Sequence, residues 1–340
     1  MLARLLTPLR LAAAGLVVLV AVIVVLLTRG SDHYLEIPDE AHPLAGLVKV
    51  PSATTEHDGG GIYYVDVLVK RASLLESLVP AFRPEGSILI ERRDLVEPGI
   101  SDKQRIKLEI ADMKLSQIIA STVALRALGY QVPIRLGGLR VVAVTSDSHA
   151  LGLLKPGDVI VSADGERVRE RADLRAVLAR HRVGDVVQIG IRRGNDRQTL
   201  AIRTTSDESD PQRPILGVLP IQALNVHFPF RIRFNLREVG GPSAGLAFAL
   251  ELLEKRGRDV DHGYKVAATG EIQLDGTVTR IGGVKQKTIG ARHAHVDVFL
   301  VPVDGDNARE AKRYAHGLRI IPVESFQQAL QALATLPRKA

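Results

Sequence analysis

The sequence has 340 residues, of which 46% are hydrophobic and 24% charged, as expected for two or three globular domains. It contains no cysteine, which excludes disulfides, thiolate metal sites and a cysteine nucleophile. Aromatic residues make up only 4% and Trp is absent, which disfavours a stacking surface for single-stranded nucleic acid. The net charge of +7 is dispersed among acidic residues, so we interpret it as a solvated basic surface with no nucleic-acid partner.

The first predicted element is an apolar helix. Residues 11–28 carry no charge and would span roughly 27 Å as a helix, close to the hydrocarbon thickness of a bilayer. A cleavable signal peptide is the alternative, but the run is longer than a usual signal core, and no small-x-small cleavage site follows. We therefore predict a single-pass anchor in the lipid of the cell membrane. Arg4 and Arg10 precede the run, while Arg29 after it is quickly followed by Asp32, Asp39 and Glu40. This charge bias predicts a cytoplasmic tail over residues 1–10 and extracytoplasmic domains.

Residues 33–130 are predicted to form an N-terminal α/β region whose default role is packing. A strand is expected from Ile62, after a triple glycine that we interpret as a turn because no Lys-Ser/Thr pair follows it. Ser101 begins the pattern SDKQ, a capping box ahead of a helix that Gly129 would end. Nothing in this region indicates chemistry.

Residues 133–204 combine short strands, glycine turns and one amphipathic helix. The phrases LKPGDVI, ADGERV and IGIRRG, in that order, resemble a bacterial PDZ domain. The resemblance implies a groove where the C-terminal tail of a peptide adds a strand to the sheet edge. Gly137, Gly138 and Leu139 stand where the loop that holds the terminal carboxylate would fall, with a plain turn as the alternative. The polar residues 205–214 follow and are interpreted as a linker.

Residues 215–338 alternate strands and helices, which predicts an α/β domain with a mixed sheet and makes the whole chain α+β and multidomain. Within it, the sequence GGPSAG around Ser243 stands at the entry to a helix. A serine there lies beside free backbone amides that could hold an oxyanion, although a plain helix cap is the alternative. Because the chain has no cysteine and no recognisable triad histidine, the serine would need another base. Lys285 and Lys287 are the candidates.

GPSAG, then TGE, then IGGVKQK resemble the proteolytic domain of Lon proteases in their order and spacing. The resemblance implies a serine peptidase with Ser243 as nucleophile, Lys287 as general base and Thr269 as a hydroxyl that supports the lysine. Lys285 matches a non-catalytic position. One departure stands at Gly240, where Lon proteases commonly carry an acidic residue; Glu238 lies nearby in the sequence.

The sequence has no GxxxxGK[ST] loop, so the ATPase of Lon is not expected, and neither is any cofactor. His293 and His295 lie outside any HExxH pattern, so no metal site is predicted. The combination of anchor, PDZ domain and Lon-like domain resembles the bacterial membrane-anchored, PDZ-containing Lon-like proteases. That resemblance implies an ATP-independent endopeptidase that cleaves exposed or unfolded polypeptides outside the membrane. The alternative is a non-catalytic PDZ scaffold with an inert Lon-like fold; assembly into a homo-oligomer is left open.

Overall fold

The protein was analysed as a computed structural model, which describes residues 8–53, 59–96, 99–236 and 239–339. It has the predicted α+β class. Helix α1 (Pro8–Thr28) opens the chain, and its Leu11–Thr28 window has a mean hydropathy of 3.0 with none of it buried. Among the described helices it is the one long and apolar enough to cross a membrane.

The remaining elements fall into three consecutive groups. The first group is β1 (Gly30–Pro38), β2 (His42–Pro43), β3 (Val48–Lys49), β4 (Gly61–Tyr64), β5 (Val67–Ser73), α2 (Leu74–Leu78), a 3-10 helix (Pro80–Phe82), β6 (Ile88–Glu91), α3 (Arg92–Leu95) and α4 (Asp102–Ala127). The second is β7 (Ile134–Val144), β8 (Val159–Ala163), β9 (Glu166–Arg167), α5 (Arg171–Leu178), β10 (Val186–Arg193), β11 (Asp196–Arg203), β12 (Thr205–Ser206), β13 (Pro214–Ile215) and β14 (Val218–Val226). The third is β15 (Arg233–Phe234), α6 (Gly245–Lys255), β16 (Lys265–Ala268), β17 (Glu271–Ile272), β18 (Val278–Thr279), α7 (Val284–His293), β19 (Val298–Pro302), α8 (Asn307–Tyr314), β20 (Arg319–Val323) and α9 (Phe326–Ala334).

The central sheet joins the first and third groups in the order β2-β4-β16-β19-β20. Its strands β4, β16, β19 and β20 run parallel, whereas β2 is antiparallel to β4, so the sheet is mixed as predicted. Successive strand residues face opposite sides: Val266 packs into a core with α4, α6 and α9, and Ala267 into one with α7 and α8. Residues 33–130 are therefore part of the architecture that holds Ser243, rather than a separate packing region.

The middle group forms its own antiparallel sheet in the order β11-β10-β8-β7-β14. We expected the C-terminal domain to begin at residue 215, yet β14 pairs along the length of β7 in this sheet. The expected linker also differs, because β12 pairs with β13 and Asp207 accepts hydrogen bonds from Arg213 and from the Ser209 amide (2.9 Å). Local hydrogen bonds thus order a segment whose composition alone favours a flexible connection.

Helix α4 links the two sheets. It begins with the predicted capping box, in which the Ser101 hydroxyl accepts from the Gln104 amide (3.3 Å) and the Gln104 side chain accepts from the Ser101 amide (2.8 Å). The amide group of the same Gln104 side chain donates to the Val144 carbonyl at the end of β7 (2.9 Å). Further along, Met113, Ala120 and Ala124 are buried against the core of the central sheet. One rigid helix therefore contacts both domains.

Candidate active site

Ser243 lies on the loop that enters α6, a helix buried along almost its whole length. Its carbonyl accepts two hydrogen bonds, from the Gly270 amide (2.8 Å) and from the Thr269 hydroxyl (3.1 Å). Both donors follow directly after β16, so the central sheet fixes the backbone of the serine. The side chain of Ser243 is half-buried and faces a cleft at the amino-terminal end of α6.

Lys287 comes from the first turn of α7, a separate helix. Its Nζ donates to Ser243 Oγ over 2.8 Å, although the two residues are 44 positions apart in the sequence. The side chain is only 4% exposed, and this burial lowers the pKa of Lys287 to about 8 from 10.5, because a charged amine loses its hydration there. The nearby carboxylates of Asp66 and Glu36 act in the opposite direction and raise the pKa. A substantial neutral fraction is therefore present near neutral to mildly alkaline pH.

The start of α7 depends on a glycine. Gly283 is the residue before the helix and has φ of 67°, in the left-handed region. A Cβ at this position would lie 2.6 Å from a methyl carbon of Val67, on β5. The Gly283 carbonyl also accepts from the Lys287 amide (2.9 Å). The close approach of β5 to α7 thus requires glycine here and sets the direction of the lysine.

Thr269 was expected to support Lys287, but its hydroxyl donates to the main chain of Ser243 instead. The residue is fully buried between β16 and the start of α6, which directs its side chain toward the serine carbonyl. Lys285, the expected non-catalytic lysine, points elsewhere: its Nζ lies 5.4 Å from the ring centroid of Tyr314 on α8. The structure thus brings Ser243, Lys287 and Thr269 together and leaves Lys285 apart.

The glycine at position 240 has a spatial explanation. A Cβ there would lie 2.6 Å from Glu109 Cβ, so α4 occupies the space that a side chain would need. The same helix makes two hydrogen bonds to the loop that carries Ser243. The Glu109 carbonyl accepts from the Gly241 amide (2.8 Å), and the Ser116 hydroxyl donates to the Pro242 carbonyl (2.9 Å). Glu109 itself lines the cleft, so the N-terminal region supplies an acidic group next to Gly240. Glu238 lies outside the described residues.

One wall of this cleft comes from residues in which the sequence indicated no chemistry. The cleft encloses about 370 Å³, and Glu36, Asp66, Val67, Leu68 and Ile106 line it together with Ser243 and Lys287. Burial raises the pKa of Glu36 and of Asp66, since each carboxylate has lost part of its hydration. The sequence offered only a weak signal for this wall, a single acid, Asp66, just after a predicted strand. The structure shows that this strand, β4, pairs in parallel with β16.

Histidine appears at the edge of the same cleft. His42 Nε2 lies 3.4 Å from Asp39 Oδ2 and 3.8 Å from Asp66 Oδ1, so the three side chains could offer ligand atoms to a cation. All three are partly exposed, and such groups are common on protein surfaces without a metal. His293 and His295, which the sequence analysis considered, are exposed near the end of α7.

A second cleft, of about 540 Å³, lies between α5 and β14 in the middle domain. Leu174 and Leu178 of α5 and the residues from Ile215 to Leu219 line it. Strand β14 is at the edge of its sheet, so one side of its backbone faces this cleft without a partner strand. The cleft thus has the form of a site for an added strand, with an apolar helix opposite.

The residues expected to hold a peptide carboxylate lie elsewhere. Gly137, Gly138 and Leu139 are inside β7, which is paired with β8 on one side and β14 on the other. The Gly138 carbonyl accepts from the Gln222 side chain (3.0 Å), and Leu139 alone of the three lines the cleft. This corrects the expectation, because neither glycine lines the cleft, and a Cβ at Gly138 would lie 2.2 Å from the Ile160 carbonyl oxygen of β8, so the neighbouring strand occupies the space beside it.

Comparisons with known proteins agree with this division of the chain. The PDZ domain family matches residues 126–204, and the Lon protease (S16) C-terminal proteolytic domain family matches residues 235–335. The chain therefore carries, after its apolar N-terminal helix, a PDZ domain and a Lon-type proteolytic domain, which confirms the predicted fold class. The Lon match supports a serine peptidase.

Individual relatives match this C-terminal part. Lon protease of Clostridium beijerinckii is 39% identical over 132 residues, covering 35% of this chain and 16% of that protein. Lon protease of Buchnera aphidicola is 34% identical over 100 residues, covering 28% and 13%. The chain thus spans less than a fifth of the length of these relatives. Among solved structures, the PDZ domain of an SdrC-like protein from Listeria innocua is 30% identical and covers 24% of this chain and 92% of that one, with a TM-score of 0.23.

Proposed function

We propose that the protein is an ATP-independent serine endopeptidase in which Ser243 is the nucleophile and Lys287 the general base. The observation that carries the proposal is the 2.8 Å contact between Lys287 Nζ and Ser243 Oγ inside a cleft, with the lysine buried. A buried amine with a lowered pKa is suited to accept the serine proton. Thr269 supports the site through the serine backbone.

The reaction follows from these positions. Neutral Lys287 takes the proton of Ser243 as Oγ attacks the substrate carbonyl, and the amino-terminal end of α6 stabilises the negative charge that forms on the carbonyl oxygen. Lys287 then returns the proton to the leaving amine, and an acyl-enzyme remains on Ser243. Water, deprotonated by the same lysine, hydrolyses this ester and restores the serine hydroxyl.

We further propose that the cleft between α5 and β14 binds the C-terminal tail of a polypeptide, either substrate or regulator. The tail would pair with the open edge of β14, and its terminal carboxylate would lie near Gly217, whose φ of 60° turns the backbone at the start of that strand. Apolar side chains of the tail would contact Leu174 and Leu178.

The location that fits these domains is the outer face of the cell membrane. Helix α1 would be the single-pass anchor, with residues 1–10 cytoplasmic and the domains extracytoplasmic. Protease added to intact spheroplasts should then digest the domains and leave a membrane-bound fragment. Full protection until lysis would contradict this orientation.

Labelling with a serine-reactive phosphonate tests the proposed activity. The wild-type protein should be labelled at Ser243 and should lose cleavage of an unstructured peptide in parallel, whereas Ser243→Ala should neither react nor cleave. Retained peptide-tail binding without labelling or cleavage in the wild type would instead favour the non-catalytic scaffold.

A further inference from the structure

An apolar patch lies on the surface close to the end of α1. Five consecutive residues, Leu78-Val79-Pro80-Ala81-Phe82, are all exposed, and we refer to them as the 78–82 patch. Leu78 is 69% exposed, Val79 37% and Phe82 55%. The patch spans the end of α2 and the 3-10 helix that follows it. Within the part of the chain that the structure describes, no element covers this run, and an exposed apolar patch of this kind indicates a surface that contacts a partner or a membrane.

The position of the patch is fixed relative to the apolar helix. The Leu74 amide, at the start of α2, donates to the Arg29 carbonyl just after α1 ends (2.8 Å), and α1 contacts α2. Because α2 has five residues, it extends only about 7 Å from this junction. The polar layer on each side of a bilayer is roughly 5–8 Å thick. If α1 spans the hydrocarbon, the patch lies at the depth of the lipid headgroups.

Basic side chains lie near the patch. Lys70 and Arg71, on β5, are half-exposed and form ion pairs with Glu76 (2.7 Å) and Asp32 (3.2 Å), and Arg29 follows the end of α1. Arg83 donates to the carbonyls of Glu76 (2.7 Å) and Ser77 (3.0 Å), which fixes the turn that presents Phe82. Exposed apolar side chains with basic residues nearby are typical of segments that lie in the plane of a membrane surface.

We propose that the 78–82 patch inserts into the lipid headgroup region as a second membrane contact and holds the catalytic domain against the bilayer. This inference rests on the proposed anchoring of α1 and concerns lipid as the occupant. Strand β5 runs from Val67, in the catalytic cleft, to Ser73, the cap of α2, which is roughly 20 Å. The cleft therefore stays close to the membrane, and the substrates that fit this geometry are polypeptide segments that emerge from or lie along the bilayer.

The absence of Trp from the sequence makes a direct test available. Phe82→Trp in the full-length chain, reconstituted into anionic phosphatidylcholine–phosphatidylglycerol vesicles, gives a single tryptophan at the patch, which can be excited selectively over the six tyrosines. Brominated acyl chains should quench most of its emission, which should also be blue-shifted. Leu151→Trp, at an exposed position of the PDZ domain, is the matched control and should keep its emission. Circular dichroism verifies that each variant is folded, whether or not the protein reacts with a phosphonate.

Leu16→Trp, within α1, separates the two membrane proposals. Quenching of Leu16→Trp without quenching of Phe82→Trp would overturn the patch while the anchor stands. Quenching of Phe82→Trp alone would contradict the anchor and, with it, the proposal of a second membrane contact. If neither is quenched, or if the Leu151→Trp control is quenched equally, the specific contact is refuted. Emission that is blue-shifted but insensitive to bromine would show a protein partner on the patch and also overturn the lipid proposal.

Discussion

Ser116 donates a 2.9 Å hydrogen bond to the carbonyl of Pro242, the residue before Ser243, although the two lie 126 positions apart. Two turns earlier on the same helix, the Glu109 carbonyl accepts from the Gly241 amide. Helix α4 also contacts the sheet of the PDZ domain. It therefore positions the loop that carries the serine. The geometry of the proposed nucleophile depends on a part of the chain far from it in sequence.

Gly240→Ala tests whether the packing of α4 positions the loop that carries Ser243. The added Cβ would lie 2.6 Å from Glu109 Cβ, so the loop must shift, and a displacement of about 1 Å can reduce kcat on the order of 100-fold. Combining it with Glu109→Gly should restore part of kcat, because the obstructing carbon is removed. Gly282→Ala, at the same cleft but with no atom within 4 Å of the new Cβ, is the control. Full activity of Gly240→Ala would contradict a role for α4 in positioning this loop.

Peptide cleavage should increase with pH through a midpoint near 8, where Lys287 loses its proton. Lys287→Arg should reduce kcat by about 1,000-fold or more, because a guanidinium stays protonated and cannot act as base. Lys285→Arg should retain most activity, since its side chain contacts Tyr314 instead. Peptide cleavage rates of the wild type and the two variants across pH 6–10 test this prediction. An inactive Lys285→Arg beside an active Lys287→Arg would make Lys285 the general base instead.

Asp66→Asn should shift the pH–rate curve toward acid. The Asp66 carboxylate raises the pKa of Lys287, so its neutralisation lowers that pKa further and yields neutral base at a lower pH. Glu36→Gln should shift the curve in the same direction. Glu40→Gln, at an exposed neighbouring position, serves as the control. An alkaline shift in either cleft variant would show that the carboxylates act otherwise.

Lys287→Met should stabilise the fold near neutral pH. Between pH 10.5 and 8 the unfolded chain binds a proton that the folded chain lacks, so the wild type loses stability as pH falls across that interval. At about 1.4 kcal/mol per pKa unit, the methionine variant should gain roughly 3 kcal/mol at pH 7. Urea unfolding at pH 7 and pH 10.5 measures this gain, which should fade at the higher pH. A gain that does not depend on pH would point to packing instead, and Lys285→Met is the matched control.

Ile215→Glu should weaken binding of a peptide tail to the PDZ domain by tenfold or more, on the order of 1.4 kcal/mol. The residue lines the cleft beside β14 and is only partly buried, so the fold should tolerate the change. Fluorescence polarisation with a labelled C-terminal peptide measures the loss, with Ile215→Val as control. Cleavage of a short unstructured peptide should stay near the wild-type rate. Unchanged peptide affinity would place the binding site elsewhere.

The sequence by itself determined the kinds of elements and the local motifs. The capping box at Ser101, the apolar helix and the order GPSAG, TGE, IGGVKQK depend on contacts between near neighbours, or on a resemblance that short motifs carry. The PDZ and Lon-type domains could be predicted from such patterns and are matched by their families. The choice of Ser243 as nucleophile, and of Lys287 rather than Lys285 as base, rested on the resemblance to the Lon proteolytic domain.

Only the tertiary structure decided how distant segments share one sheet and one cleft. Parallel pairing of β4 with β16 brings Asp66 beside Lys287, and the packing of α4 explains Gly240 through Glu109. Strand β7 lies between β8 and β14, which places Gly137–Leu139 within the sheet instead of in the expected peptide loop. Strand pairing and helix packing join residues more than a hundred positions apart. Local sequence patterns do not show which strands and helices pack together. That packing depends on the apolar surface buried over whole faces of these elements.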